Sequence, residues 1–285
     1  MQALLKRHPI TSYFLLSFLL AWVMWIPVGL FVPSVVTAHI LPGAWAPTIA
    51  ALVLTAVLDG RAGVRGLLRG VLKWRVAWYW YVFAILGPTL VVFAAILVHL
   101  LLGGTAPTLA GIAARFGLPA ERAMLVLGFL PLVYVTTIFA GGPIAEELGW
   151  RGYAQPRLQA HIGPTFAGLA IGVLWGFWHL PLFFFLPSAT GDVPLTWFLP
   201  LTTAWGVLFG WLYNQTGGSV LLCMLFHAGI NFVLGAVGLV SGSLQLLTLF
   251  TILMGVAALV VGMRTRQAGR AEWPAVHPSG SAEAR

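Results

Sequence analysis

Long apolar runs constrain this 285-residue chain more than any other feature. Bounded by charge, Gly or Pro, they lie near residues 10–32, 43–59, 77–102, 123–149, 164–186, 194–213, 218–238 and 243–263. A bilayer's hydrocarbon core is about 30 Å thick and takes roughly 20 residues of α-helix to cross. Membrane β-strands are about 10 residues long and alternate in polarity, which these runs do not. Only 8% of the residues are charged, against roughly 25% in a soluble domain, too few to coat a water-facing surface. The expected fold class is therefore all-α: a polytopic membrane helix bundle of about eight transmembrane helices. The run at 43–59 is the short one. The 13 Trp residues suit interfacial belts and helix packing alike.

Lys and Arg orient such a bundle. With the N-terminus in the cytoplasm, the inside segments hold Lys6 and Arg7, then Arg61, Arg65, Arg69, Lys73 and Arg75, then Arg151 and Arg157, then Arg264, Arg266, Arg270 and Arg285. That is 13 of the 15 basic residues, with Arg115 and Arg122 outside. Both termini are then expected in the cytoplasm of a multi-pass plasma-membrane protein. The net charge of +8 reflects this topology and an attraction to the lipid bilayer, and no nucleic-acid partner is expected. The single cysteine, Cys223, excludes an internal disulfide and any Cys-rich metal site.

The expected organisation is an N-terminal set of transmembrane helices over 1–122, a core over 123–238, a last helix over 239–263 and a disordered cytoplasmic tail over 264–285. The first apolar run is too long for a signal peptide, although Val36-Thr37-Ala38 loosely resembles a cleavage site. In the outer loop 106–121, Leu109, Ile112 and Phe116 suggest a short interfacial helix. There is no internal repeat of the kind many transporters carry.

Three runs contain groups that are costly in lipid, each charge at roughly 2.5–3.5 kcal/mol on insertion scales. Glu146 and Glu147 close the fourth run; Glu147 and Arg151, four apart on one helical face, are placed to pair. Trp175 and His179 share a face of the fifth, just before Pro181. His227 and Asn231 share a face of the seventh. A hairpin turning at His161-Ile162-Gly163 carries Glu146, 16 residues before Ile162, and His179, 17 after it, to nearly the same depth at 1.5 Å per residue. These spacings predict that Glu146 faces His179 and that His227 and Asn231 reach the same cavity near mid-bilayer.

Peptide hydrolysis needs a base for water, donors for the oxyanion and an acid for the leaving amine. A carboxylate in an apolar surround suits the base near neutrality, which fits Glu146, with His179 holding the water. His227 and Asn231 supply N–H donors, and Glu147–Arg151 is the structural pair. A zinc ion held by Glu146, His179 and His227 is the metal alternative, although no His-Glu-x-x-His motif is present. Cys223, four residues before His227, is a lesser candidate for a thiol–imidazole pair.

At these residues the chain resembles the family of type II CAAX prenyl proteases and bacteriocin-processing intramembrane proteases, called CPBP or Abi. Pro143-Ile144-Ala145-Glu146-Glu147 through Arg151-Gly152 looks like the family's Glu-Glu-x-x-x-Arg element. Trp175-x-x-x-His179 looks like its Phe-x-x-x-His, and His227-x-x-x-Asn231 its His-x-x-x-Asn/Asp. The resemblance covers about residues 123–235. It implies a helical bundle with an intramembrane site, a base at Glu146 aided by His179, and oxyanion contacts at His227 and Asn231, with glutamate and metallo versions both open. Two departures are Trp175 and Trp150, where Phe is commoner; both keep an aromatic, so an altered pocket shape is expected. The implied partner is a peptide or protein substrate at the membrane: a prenylated C-terminus, a bacteriocin or a signalling peptide.

The stripe Gly168-x-x-x-Gly172-x-x-x-Gly176 is read as close helix packing, or as a path for a lipid or substrate helix. The competing functions are a small-molecule or ion transporter using the same cluster as a relay, and a catalytically inert immunity or scaffold protein. Oligomeric state leaves no sequence signature here.

Overall fold

The computed structural model describes residues 2–32, 37–139, 142–186, 193–238 and 242–268, and among them there are helices and no strands. The long helices are α1 (Pro9–Phe31), α2 (Ala46–Arg69), α3 (Trp78–Leu101), α4 (Leu125–Phe139), α5 (Gly142–Glu147), α6 (Gln155–Ile162), α7 (Pro164–Trp178), α8 (Leu195–Gln215), α9 (Val220–Asn231) and α10 (Leu244–Ala268). Among the described residues, seven helical stretches are long and apolar enough to cross a membrane, and Val220–Ala236 is a shorter apolar one. The chain is an all-helical, multi-pass membrane protein.

Its polarity pattern is that of a protein solvated by lipid. Leu15, Phe31, Leu90, Leu101, Leu132, Phe184 and Leu259 are exposed, whereas Glu146, Glu147, Arg151 and His227 are buried. In α1 the buried residues are Tyr13, Ser17, Ala21 and Trp25, one per turn, so a single stripe meets the bundle and the rest of the helix is left for lipid. The Ser17 hydroxyl satisfies itself by donating to the Tyr13 carbonyl at 2.8 Å.

Helices α7 and α8 pack most closely, through the glycine stripe. A Cβ at Gly168 would lie 2.8 Å from the Gly206 carbonyl oxygen, and one at Gly172 would lie 2.5 Å from that of Thr202. At Gly176 it would lie 2.6 Å from Thr202 Oγ1. The stripe is thus occupied by α8 itself, the packing reading of the two.

Helix boundaries depart from the apolar runs in three places. The second helix continues past residue 59 to Arg69, but Gly60 (φ 64°, ψ −161°) breaks it where the apolar run ends. The fourth run does not stop at 149: α5 passes into a π-helix, Leu148–Ala154, and then α6. The last helix runs to Ala268 rather than 263. The hairpin turn falls at Gly163, whose φ of 78° suits glycine. The outer-loop helix is present over Leu109–Arg115, capped by Thr108, and packs Ile112 and Phe116 with Ala113, Ala123 and Val126. Val36, Gly141 and the tail beyond 268 lie outside the described residues.

The two ends of the bundle differ in charge. At one end Arg157 meets Asp59 at 3.3 Å, Lys73 donates to the Gly217 carbonyl, and Ser219 Oγ donates to the Lys73 carbonyl at 2.7 Å. At the other, Arg115 donates to the Gly235 carbonyl at 3.0 Å. The segments 59–75, 157 and 217–219 therefore share an end.

Candidate active site

Glu146 and Glu147 close α5 just before the chain widens into the π-helix, a local form often found at functional sites. Gly149 within it lets the chain approach α2 closely: a Cβ there would lie 2.5 Å from the Pro47 carbonyl oxygen and from the Tyr13 hydroxyl. The segment is thereby held against α1 and α2, with both glutamates turned into the bundle.

Glu146 Oε2 accepts two indole N–H groups, from Trp175 at 2.6 Å and from Trp150 at 3.2 Å. Its other oxygen, Oε1, stands over Gly142. A Cβ at Gly142 would lie 2.8 Å from Glu146 Oε1 and 2.6 Å from His227 Nε2. The missing side chain of Gly142 therefore lets a carboxylate oxygen and an imidazole nitrogen converge over its bare Cα.

Glu147 links two partners. Its Oε2 lies 3.1 Å from Arg151 Nε, with both side chains fully buried, and its Oε1 lies 2.8 Å from His227 Nδ1. The Arg151 contact is an ion pair rather than an aligned hydrogen bond, and its Nη1 and Nη2 find no acceptor among the described residues. The guanidinium lies instead over the Phe209 ring, 4.3 Å from its centroid, and 5.8 Å from that of Trp175. Because a carboxylate accepts, His227 carries a proton on Nδ1, and its Nε2 is turned toward Gly142 and Glu146.

His179 stands at a helix break. Helix α7 ends at Trp178, and a new turn starts at Leu180 with Pro181 in its first residues, because a proline cannot continue the ladder from the turn before it. The His179 Nδ1–H donates to the Trp175 carbonyl at 2.8 Å, so its Nε2 is left as the free nitrogen. Its ring packs among Trp178, Phe198 and Trp175, with centroids 4.7, 5.0 and 5.7 Å away.

The structure thus brings Glu146, Glu147, Arg151, Trp175 and His227 into one connected cluster and attaches His179 to it through the Trp175 backbone. No hydrogen bond joins Glu146 to His179 among the described residues; Trp175, one turn earlier on α7, donates to Glu146 and accepts from His179, so it links the two. The π-helix lies between Glu146 and the turn. Asn231 ends α9, one turn beyond His227 and half-buried, and none of these hydrogen bonds includes it. Trp150 was expected only to shape the pocket; its position four residues after Glu146 is the signal that its N–H reaches the same face. Gly142 carries no comparable signal.

In the zinc alternative the ligand atoms would be Glu146 Oε1 and the Nε2 atoms of His179 and His227, because Glu146 Oε2 is taken by two indoles, His227 Nδ1 by Glu147 and His179 Nδ1 by a carbonyl. Among the described residues no three His, Cys, Asp or Glu side chains come together to hold a metal ion. Cys223 is buried and directed at the Phe209 carbonyl, 3.9 Å away, rather than at His227.

Residues 128–233 match the family model described as type II CAAX prenyl endopeptidase, Rce1-like. Over these residues the chain is similar to that family. A relative is CAAX prenyl protease 2 of Methanococcus maripaludis, 31% identical over 110 residues, which are 36% of this chain and 39% of that protein. The chain thus matches about two fifths of that relative's length. The matched segment contains every residue of the cluster described above, from Gly142 to Asn231, and leaves out α1, α2, α3 and α10.

Proposed function

We propose that this chain is an intramembrane endopeptidase that hydrolyses a peptide bond of a membrane-associated protein or peptide. The observation that carries this reading is the convergence of Glu146 Oε1 and His227 Nε2 over Gly142 inside the membrane-spanning core. In this reading Glu146 Oε1 takes a proton from water as the hydroxyl bonds to the scissile carbonyl carbon. The oxyanion receives N–H donation from His227 Nε2 and from Asn231 across the turn. With Nδ1 bonded to Glu147, donation from Nε2 requires the doubly protonated ring, and the Glu147 carboxylate fixes its orientation. The proton held by Glu146 then passes to the amine as the C–N bond breaks. His179, fixed by the Trp175 carbonyl, offers its Nε2 lone pair to the same water. Both chain termini lie in the cytoplasm, where the basic end of the bundle faces.

The relative's name points to prenylated C-termini as the first substrates to try. Reconstituted full-length protein is incubated with a farnesylated carboxyl-terminal peptide and its unprenylated twin, with and without a chelator, and the released fragment is measured. Glu146→Ala and His179→Ala are expected to abolish cleavage while the protein still inserts and folds. Full cleavage by both variants, or substrate-coupled proton flux into vesicles without any cleavage, would overturn the proposal.

A further inference from the structure

We infer that Trp150 and Trp175 act as a two-indole clamp on Glu146, fixing Oε2 so that Oε1 alone converges with His227 Nε2. The inference rests on the protease reading and deepens it with two positioning residues. Both indoles are buried, at 0% and 2% exposure, and an indole nitrogen can only donate. They reach the same oxygen from different directions: Trp150 from the glutamate's own helical path, Trp175 from α7 across the bundle, at 3.2 and 2.6 Å.

Neither indole is free to turn away. Trp150 is wedged between Tyr13, Phe14 and Trp178, with centroids 5.7 to 5.9 Å apart. Trp175 is held by His227, Trp205 and Phe209 at 5.2 to 6.0 Å. Arg151 pairs with Glu147, at 3.1 Å, so the two indoles are the donors Glu146 receives. A phenylalanine at either position would fill much of the same space without donating. These are the two positions at which the motifs depart from the commoner Phe, so the N–H pair is a feature of this chain.

The test separates the N–H from the ring. Trp150→Phe and Trp175→Phe are expected to lower kcat about 10-fold each, the cost of a hydrogen bond to a charged group, with KM within about 2-fold. The double variant falls below either. Benzothienylalanine at 175, which keeps the fused ring and replaces N–H by sulfur, is expected to match the kcat loss of Trp175→Phe at an unchanged thermal midpoint. This isostere decides the matter where a Phe variant fails to fold. Independently of turnover, the carboxylate infrared band that disappears in Glu146→Gln is expected to shift in the isostere-bearing protein. Full kcat and an unmoved band in that protein, with Glu146→Gln inactive, would overturn the clamp alone. Full activity of Glu146→Gln would instead overturn the protease reading beneath it.

Discussion

His227 Nδ1 lies 2.8 Å from Glu147 Oε1, joining α9 to the end of α5 inside the membrane. The same carboxylate faces Arg151 at 3.1 Å through its other oxygen. Glu147 is therefore a bridge between a buried cation and the imidazole that converges with Glu146 over Gly142. Glu147→Gln keeps an acceptor for His227 but removes the charge opposite Arg151. Breaking a buried pair from one side costs about 3–5 kcal/mol, and His227 loses the charged acceptor on its Nδ1. The expected result is a lower thermal midpoint in detergent and a kcat reduced by about 100-fold, of the order a misoriented catalytic group costs. An unchanged midpoint would show that Arg151 does not depend on Glu147.

Gly142→Ala probes that convergence itself. The added methyl would lie 2.6 Å from His227 Nε2 and 2.8 Å from Glu146 Oε1, both ends of side chains rather than backbone. The expected cost is about 1 kcal/mol, the low end for an overpacked site, while the two reacting groups are pushed apart. Displacements near 1 Å at such groups cost on the order of 100-fold in rate. Cleavage rate and thermal midpoint measured on one preparation check this: a large loss of rate with a small loss of stability is expected, and full rate would remove Gly142 from the site.

The local relationships in this site are legible in the sequence, and those between distant helices are only partly so. Glu147 and Arg151 are four apart on one helical path, and they pair. The turn at Gly163 follows from its glycine and the proline after it. The helix at Leu109–Arg115 follows from its apolar spacing. The link from Glu146 to His179 runs through Trp175, which a count of rise per residue along straight helices does not reveal. The π-helix in one arm of the hairpin also departs from that count. Glu147 meeting His227 depends on the rotation of α9 about its axis, which is set by packing against α3 and α4 and has no signature in α9 alone. The indole donors were visible as residue types, and only their convergence on one oxygen was not.

Arg151→Lys separates charge from shape. The guanidinium is fully buried and lies over Phe209, 4.3 Å from the ring centroid, a contact that a lysine ammonium reproduces poorly. Lysine preserves the charge beside Glu147, so the expected loss is about 1–2 kcal/mol, the size of a desolvated cation–π contact. Arg151→Ala leaves Glu147 buried and unpaired apart from His227, and is expected to lose about 3–5 kcal/mol. Denaturation of both variants in one detergent gives the order wild type, Lys, Ala; equal midpoints for Lys and wild type would assign Phe209 no part.

Gly172→Ala tests whether the α7–α8 contact positions the site. Its Cβ would lie 2.5 Å from the Thr202 carbonyl oxygen and 2.8 Å from the Thr203 Cα. These are backbone atoms, so the helices themselves must part, at about 1–3 kcal/mol. Trp175 lies one turn further along α7 and reaches Glu146 across 2.6 Å, so a shift of α7 lengthens that hydrogen bond. Stability and kcat should therefore fall together, unlike in Gly142→Ala, where the rate falls almost alone. Gly255→Ala on α10 is the control, since a Cβ there meets nothing within 4 Å; it should leave both quantities within about 0.5 kcal/mol of wild type. If Gly172→Ala loses stability but keeps full kcat, the close packing of α7 holds the bundle together without setting the reach of Trp175.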